Sequence, residues 1–165
     1  ALISNVFIPM ESPPTALDVA ANLLPLRPFV DAVQAYERVG GEEFFRELVE
    51  AFYDGIATDA LLAPLYPEYP DFGPAKDRLA LFLIQYWGGP HTYMEQRGHP
   101  RLRMRHLPFV VGEKERDHWL MHMASAVEKV CDGRDGGADI ARELLDYFVP
   151  AADHLRNDQP LGLRP

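Results

Sequence analysis

One cysteine, Cys131, is all the chain has, so no disulfide can close within it, and a reducing compartment such as the cytoplasm is the expected setting. No stretch approaches the roughly 18 apolar residues of a membrane-spanning helix. The N-terminus lacks a basic start and a clean cleavage signal, so a secretory peptide is not expected. A basic surplus is missing too: the formal charge is −9, which argues against nucleic acid and anionic membranes, since both reward basic surfaces. Strand patterns are nearly absent. The exception, Arg101 to Arg105, alternates polar and apolar residues but has no hairpin partner nearby, which favours a helix. What is present is apolar bulk: 47% of the 165 residues are hydrophobic, enough for one domain that buries about two-thirds of its unfolded surface.

Residues 1–30 differ from the rest. Pro9, Pro13, Pro14, Pro25 and Pro28 crowd them, and one short helical pattern runs from Leu17 to Leu24 behind Thr15 and Asp18. They read as an arm with little core of its own. Either it is a loose tail, or Phe7, Ile8, Leu23, Leu24 and Phe29 dock on the domain or on a second copy in a homodimer. Residues 31–157 form the expected domain and 158–165 a tail. Within the domain, a segment from Phe29 to Val39 stops at Gly40-Gly41, and Phe45, Leu48, Val49, Phe52, Tyr53 and Ile56 then recur at helical spacing. Thr58 or Asp59 can cap a brief turn ending at Pro64, and Tyr66 to Gly73 is a proline-stiffened loop. Pro74 suits a first helical position, and Ala75, Leu79, Phe82, Leu83 and Tyr86 make the next stripe. A long loop follows Gly88-Gly89-Pro90. Glu113 to Val130 and Ile140 to Leu155 are the last two helices, separated by a break from Gly133 to Gly137.

The chemistry concentrates between Tyr86 and Phe109. His106 closes a short arginine-studded segment, and Leu107-Pro108 then turn the chain out of any helix. A histidine at the last turn, facing another helix across an apolar gap, is how a protein holds haem iron from one side. The nearby arginines suit a small anion such as a propionate better than a polymer. No Cys-x-x-Cys-His occurs, so such a haem would be held without covalent bonds.

Several motifs then act together: Ala51-Phe52-Tyr53, Leu65-Tyr66-Pro67-Glu68, Gln85 to Pro90, Gln96 to His106, Pro108-Phe109, Arg116 to Leu120 and Leu144 to Tyr147. On these residues the chain, from about Val33 to Leu155, resembles the group II truncated haemoglobins. The resemblance implies an all-α fold, a shortened globin with two helices packed over two around a b-type haem. It implies that His106 is the proximal iron ligand, its other ring nitrogen donating to a backbone carbonyl. It places Tyr53, Tyr66 and Trp119 on the opposite, distal side. There a phenol or indole donor stabilises a gas ligand that draws negative charge, each such bond contributing about 1.5–3 kcal/mol. Leu79, Phe82 and Met123 are implied as pocket walls, and Ala75 as a small residue that leaves ligand gating to Trp119 and the tyrosines. Arg78 is implied as a propionate partner, with Arg105 and Tyr93 as further haem contacts.

The expected function is reversible binding of dioxygen, with nitric oxide and carbon monoxide as competitors, at a five-coordinate haem. Tight binding and slow release suit scavenging, sensing or redox chemistry better than bulk transport. Nitric oxide dioxygenase or peroxidase activity stays open and would need an unidentified reductase. Two other readings stand beside it. His118 and His122, four apart on one helix, have the spacing of a metal site that Asp117, Glu115 and His154 could complete in a helical hydrolase. Trp119 and Met123 hold the buried stripe, however, which turns both histidines about 100° away toward a solvated face. The other is a globin-like sensory or interaction module working through the arm.

Overall fold

A computed structural model describes the backbone of residues 29–158, with side chains from residue 34 onward. The helical pattern expected at Leu17–Leu24, the docking of the arm and the tail beyond 158 lie outside the described residues. Seven α-helices follow in order: α1 (Phe29–Val39), α2 (Gly41–Ile56), α3 (Gly73–Tyr86), α4 (Thr92–Arg97), α5 (Leu102–His106), α6 (Glu113–Cys131) and α7 (Gly137–His154). A 3-10 turn spans Ala63–Leu65, and no strand occurs among the described residues.

The periodic stripes become the core. Phe45, Leu48, Val49, Phe52 and Ile56 of α2 are all buried, while Glu42 and Glu43 place negative charge at its N-terminal turn, where the helix dipole favours it. The helix α2 packs on both α3 and α6, and α6 packs on α7. Trp87 is fully buried where these layers meet, its ring centroid 5.7 Å from Phe45, 4.8 Å from Tyr147 and 6.1 Å from Phe148. Burying side chains of this size contributes about 1.5–3 kcal/mol each, so this cluster fixes how the helices cross.

Local chemistry sets the boundaries. Asp71 Oδ1 accepts the Gly73 N–H at 2.9 Å, and Pro74 opens α3 where its missing N–H costs nothing. At the other end Gly88 adopts φ 99°, and a Cβ on Gly89 would stand 2.7 Å from the Tyr36 ring and 2.9 Å from the Ile84 carbonyl oxygen. Gly88-Gly89 is thus a turn that other residues cannot make.

Two local expectations need correction, and the helix favoured for Arg101–Arg105 is present. The segment after Pro90 is not all loop: it holds α4, whose Met94 N–H donates to Gln85 Oε1 at 2.9 Å. The turn after α2 does not end at Pro64, which lies inside the 3-10 turn. Its cap is Asp59, because Thr58 Oγ1 instead donates back to the Gly55 carbonyl at 2.8 Å. Arg101–Arg105 is helical from Leu102, and Arg101 enters it at φ 41°, ψ 48°, a left-handed step that stops any helix from running in from α4.

Candidate functional site

His106 is the last residue of α5 and is half-buried. Its Nδ1 lies 2.6 Å from the Leu102 carbonyl oxygen one turn earlier. A carbonyl only accepts, so Nδ1 carries the proton and Nε2 keeps its lone pair for a metal. The segment is short and has no fully buried residue, so polar bonds hold it in place. Arg105 donates from Nε to the Pro100 carbonyl at 2.8 Å and from Nη2 to the Arg97 carbonyl at 2.9 Å. Asn157, after α7, donates through Nδ2 to the carbonyls of His106 at 3.2 Å and Phe109 at 2.7 Å, and its Oδ1 accepts the Val111 N–H at 2.9 Å. In the sequence Asn157 stands in no motif and marks only the end of the domain. Its partners lie some 50 residues back, and a lone asparagine near a chain end carries no periodic signal.

The three aromatic residues expected on the distal side come from three elements, and ring contacts link them. Trp119 on α6 is 5.2 Å from Phe52, Phe52 is 5.0 Å from Tyr53 on α2, and Tyr53 is 5.4 Å edge-on from Tyr66 in the following loop. Burial, together with the Tyr66 phenol beside it, pushes the Tyr53 hydroxyl far above its ordinary range. Burial also pushes Tyr66 up to about 12, against a lowering hydrogen bond from Tyr53. Both phenols therefore remain protonated donors over any working pH. Met123 and Ala75 are buried, and Leu79 and Phe82 are partly buried against the core. Tyr93 is buried with its ring 5.8 Å from Phe82.

Two basic residues have protein partners. Arg78 forks onto Glu68 with bonds of 2.6 and 2.9 Å, and this guanidinium holds the Glu68 carboxyl below the usual carboxylate range. Arg105 spends its bonds on backbone carbonyls, as above. His118 keeps the solvent-facing position expected of it, while His122, with its side chain 14% accessible, does not. His118 Nδ1 lies 2.9 Å and His122 Nε2 2.7 Å from the same oxygen, Oδ2 of Asp59, whose side chain is only 6% accessible. Both nitrogens act as donors there, so they offer no lone pairs to a cation. Glu115 caps α6 by accepting the Gly112 N–H at 2.9 Å, and Asp117 pairs with Arg116 at 2.8 Å. Among the described residues no group of three or more His, Cys, Asp or Glu is arranged to hold a metal ion.

The donor chemistry fits a haem held from one side: one imidazole with its second nitrogen anchored, together with a linked set of protonated aromatic donors and apolar residues. A family model described as bacterial-like globin matches residues 34–152. Over 122 residues, 74% of this chain and 87% of the relative, the sequence is 42% identical to the group 2 truncated hemoglobin YjbI of Bacillus subtilis (strain 168). The solved thermostable hemoglobin of the actinobacterium Thermobifida fusca is 52% identical with a TM-score of 0.70, over 76% of this chain and 98% of that one. The truncated oxygen-avid haemoglobin of Bacillus subtilis is 36% identical with a TM-score of 0.66, over 74% and 98%. The anchored imidazole, the helical layers and these likenesses agree, and the chain belongs to the bacterial-like globins, among the group II truncated haemoglobins, whose cofactor is a b-type haem.

Proposed function

We propose that this globin reversibly binds dioxygen, with nitric oxide and carbon monoxide as competitors, and that it holds the gas tightly and releases it slowly. When bound, the haem supplies the iron centre that takes up the gas. The chain's own residues do the rest. His106 ligates the iron through Nε2, and the Leu102 carbonyl fixes its tautomer and orients the ring. Tyr53, Tyr66 and Trp119 supply hydrogen-bond donors on the opposite side, while Met123, Leu79 and Phe82 exclude water.

The observation that carries the reading is the linked ring chain Trp119–Phe52–Tyr53–Tyr66, with both phenols held protonated by burial. Donors fixed in a water-poor wall lose little on meeting a ligand that draws negative charge. Two of them at about 1.5–3 kcal/mol each slow release by about a hundredfold or more. The description of the Bacillus subtilis relative as oxygen-avid supports the same direction. Slow release suits scavenging, sensing or redox chemistry rather than delivery.

Optical spectra of the purified protein, ferric and ferrous, with and without carbon monoxide, test the cofactor and its coordination. A preparation that stays colourless with added haemin ends the reading. His106→Ala should remove iron ligation and most haem retention. Trp119→Phe should speed oxygen release at least several-fold in stopped flow; an unchanged rate takes Trp119 off the donor list.

A further inference from the structure

The distal residues leave one buried charge unaccounted for. Among the described residues Asp59 is the one buried charged side chain, and its two oxygens face different ways. Oδ1 accepts the N–H groups of Leu61 at 2.9 Å and Leu62 at 3.1 Å, closing the turn that leads through Ala63–Leu65 to Tyr66. Oδ2 accepts from His118 and His122, one helical turn apart on α6 and flanking Trp119. Burial by itself would raise this carboxyl, but the bonds from His118, His122, Leu62 and Leu61 outweigh it and hold it below the usual range. Asp59 is therefore an anion under an imidazole roof, with His118 45% accessible above it and His122 14%.

The helix α2 also takes part. A Cβ on Gly55 would stand 2.5 Å from Nδ1 of His122, so only a residue without a side chain lets that ring lie between α2 and α6 and reach Asp59. Gly55 is two residues past Tyr53. The carboxylate thus joins the loop that carries Tyr66 to the helix that carries Trp119, and the His122 ring carries the junction on to the end of α2.

We infer that Asp59, His118 and His122 are positioning residues of the distal wall, setting the separation between Trp119 and the Tyr53–Tyr66 pair. The inference rests on the reading of those three aromatics as ligand donors. Hydrogen-bond strength falls steeply with distance and angle, so small movements of α6 against the loop change what the donors deliver. An ionised carboxylate suits this task because it only accepts and makes the stronger, charge-assisted bonds. Asparagine has the same shape but no charge, and it can turn its NH2 toward the imidazoles only if both switch to the tautomer that accepts there. Either way the charge-assisted bonds that hold the junction are lost.

The test uses the haem-loaded full chain. Oxygen release is timed and the C–O stretch of the carbon monoxide complex recorded for wild type, Asp59→Asn, His122→Gln, His122→Leu, Trp119→Phe and the Asp59→Asn/Trp119→Phe double variant. In haem-free protein the indole N–H resonance of Trp119 is followed by NMR; with two tryptophans in the chain, it is assigned by its loss in Trp119→Phe. Asp59→Asn is expected to speed release several-fold, to move the stretch toward the Trp119→Phe value and to shift the indole resonance. His122→Gln, which keeps a donor, should stay near wild type while His122→Leu follows Asp59→Asn. In the Trp119→Phe background the effect of Asp59→Asn should shrink to less than twofold. If Asp59→Asn fails to fold, the His122→Gln and His122→Leu pair decides alone. A lowered melting temperature with stretch, rate and indole resonance unchanged overturns the inference and leaves the cluster as a fold staple. If Trp119→Phe itself changes nothing, the donor reading falls and this inference with it. A fast Trp119→Phe beside an unmoved Asp59→Asn removes the inference only.

Discussion

Four donors keep Asp59 ionised under a thin roof, and this has a pH signature. Its folded carboxyl lies below the unfolded value of about 3.9, so the unfolded chain takes up its proton first as the solution is acidified. The stability tied to that charge is complete above about pH 4–5 and is lost as the pH falls through the folded value. In urea unfolding, Asp59→Asn should show a deficit against wild type that narrows as the pH falls below about 4. A deficit independent of pH would mean that shape, not charge, matters at this position. Asp59 also marks how far single residues are legible. Its capping role is readable, because a cap acts on N–H groups two and three residues ahead. Its histidines lie 59 and 63 residues further along the chain, beyond any local pattern. His106, Tyr53, Tyr66 and Trp119 stand in motifs dense enough to be recognised together. For Arg78 the motif implies a propionate contact, and its fork onto Glu68, ten residues earlier, is a partner no local pattern announces.

Among elements, α5 depends most on its neighbours. Five residues make little more than one helical turn, which is unfavourable in isolation, and none of them is fully buried. Its place is set by Arg105 reaching back to α4 and by Asn157 reaching in from beyond α7. Asn157→Ala removes three side-chain hydrogen bonds from the segment around His106, each contributing on the order of 1 kcal/mol. The variant should pass haemin to an apoprotein acceptor about tenfold faster or more, with its helix content unchanged. A transfer rate equal to wild type would show that haem contacts alone hold the proximal side. The long helices are legible because their stripes repeat over four or five turns. The six residues of α4 are too few to show a period, and the prolines and glycines around them read as loop.

For the molecule as a whole, the two sides of the proposed haem site are built differently. Buried aromatic rings, tied to Trp87 through Phe148, back the distal wall. The proximal side is a short span held at its edges by polar bonds that water can replace. The all-helical class is legible from repeats and spacing, and the cofactor from the motifs that carry the family resemblance. This asymmetry is not, since it depends on which side chains meet across the fold.

On warming, then, the peripheral span should fray while the frame still stands, since locally open states draw on segments with little buried area. The pigment would bleach before the helices melt. A Soret trace should fall several degrees ahead of far-ultraviolet circular dichroism; coincident curves would show that iron ligand and scaffold come apart in a single event.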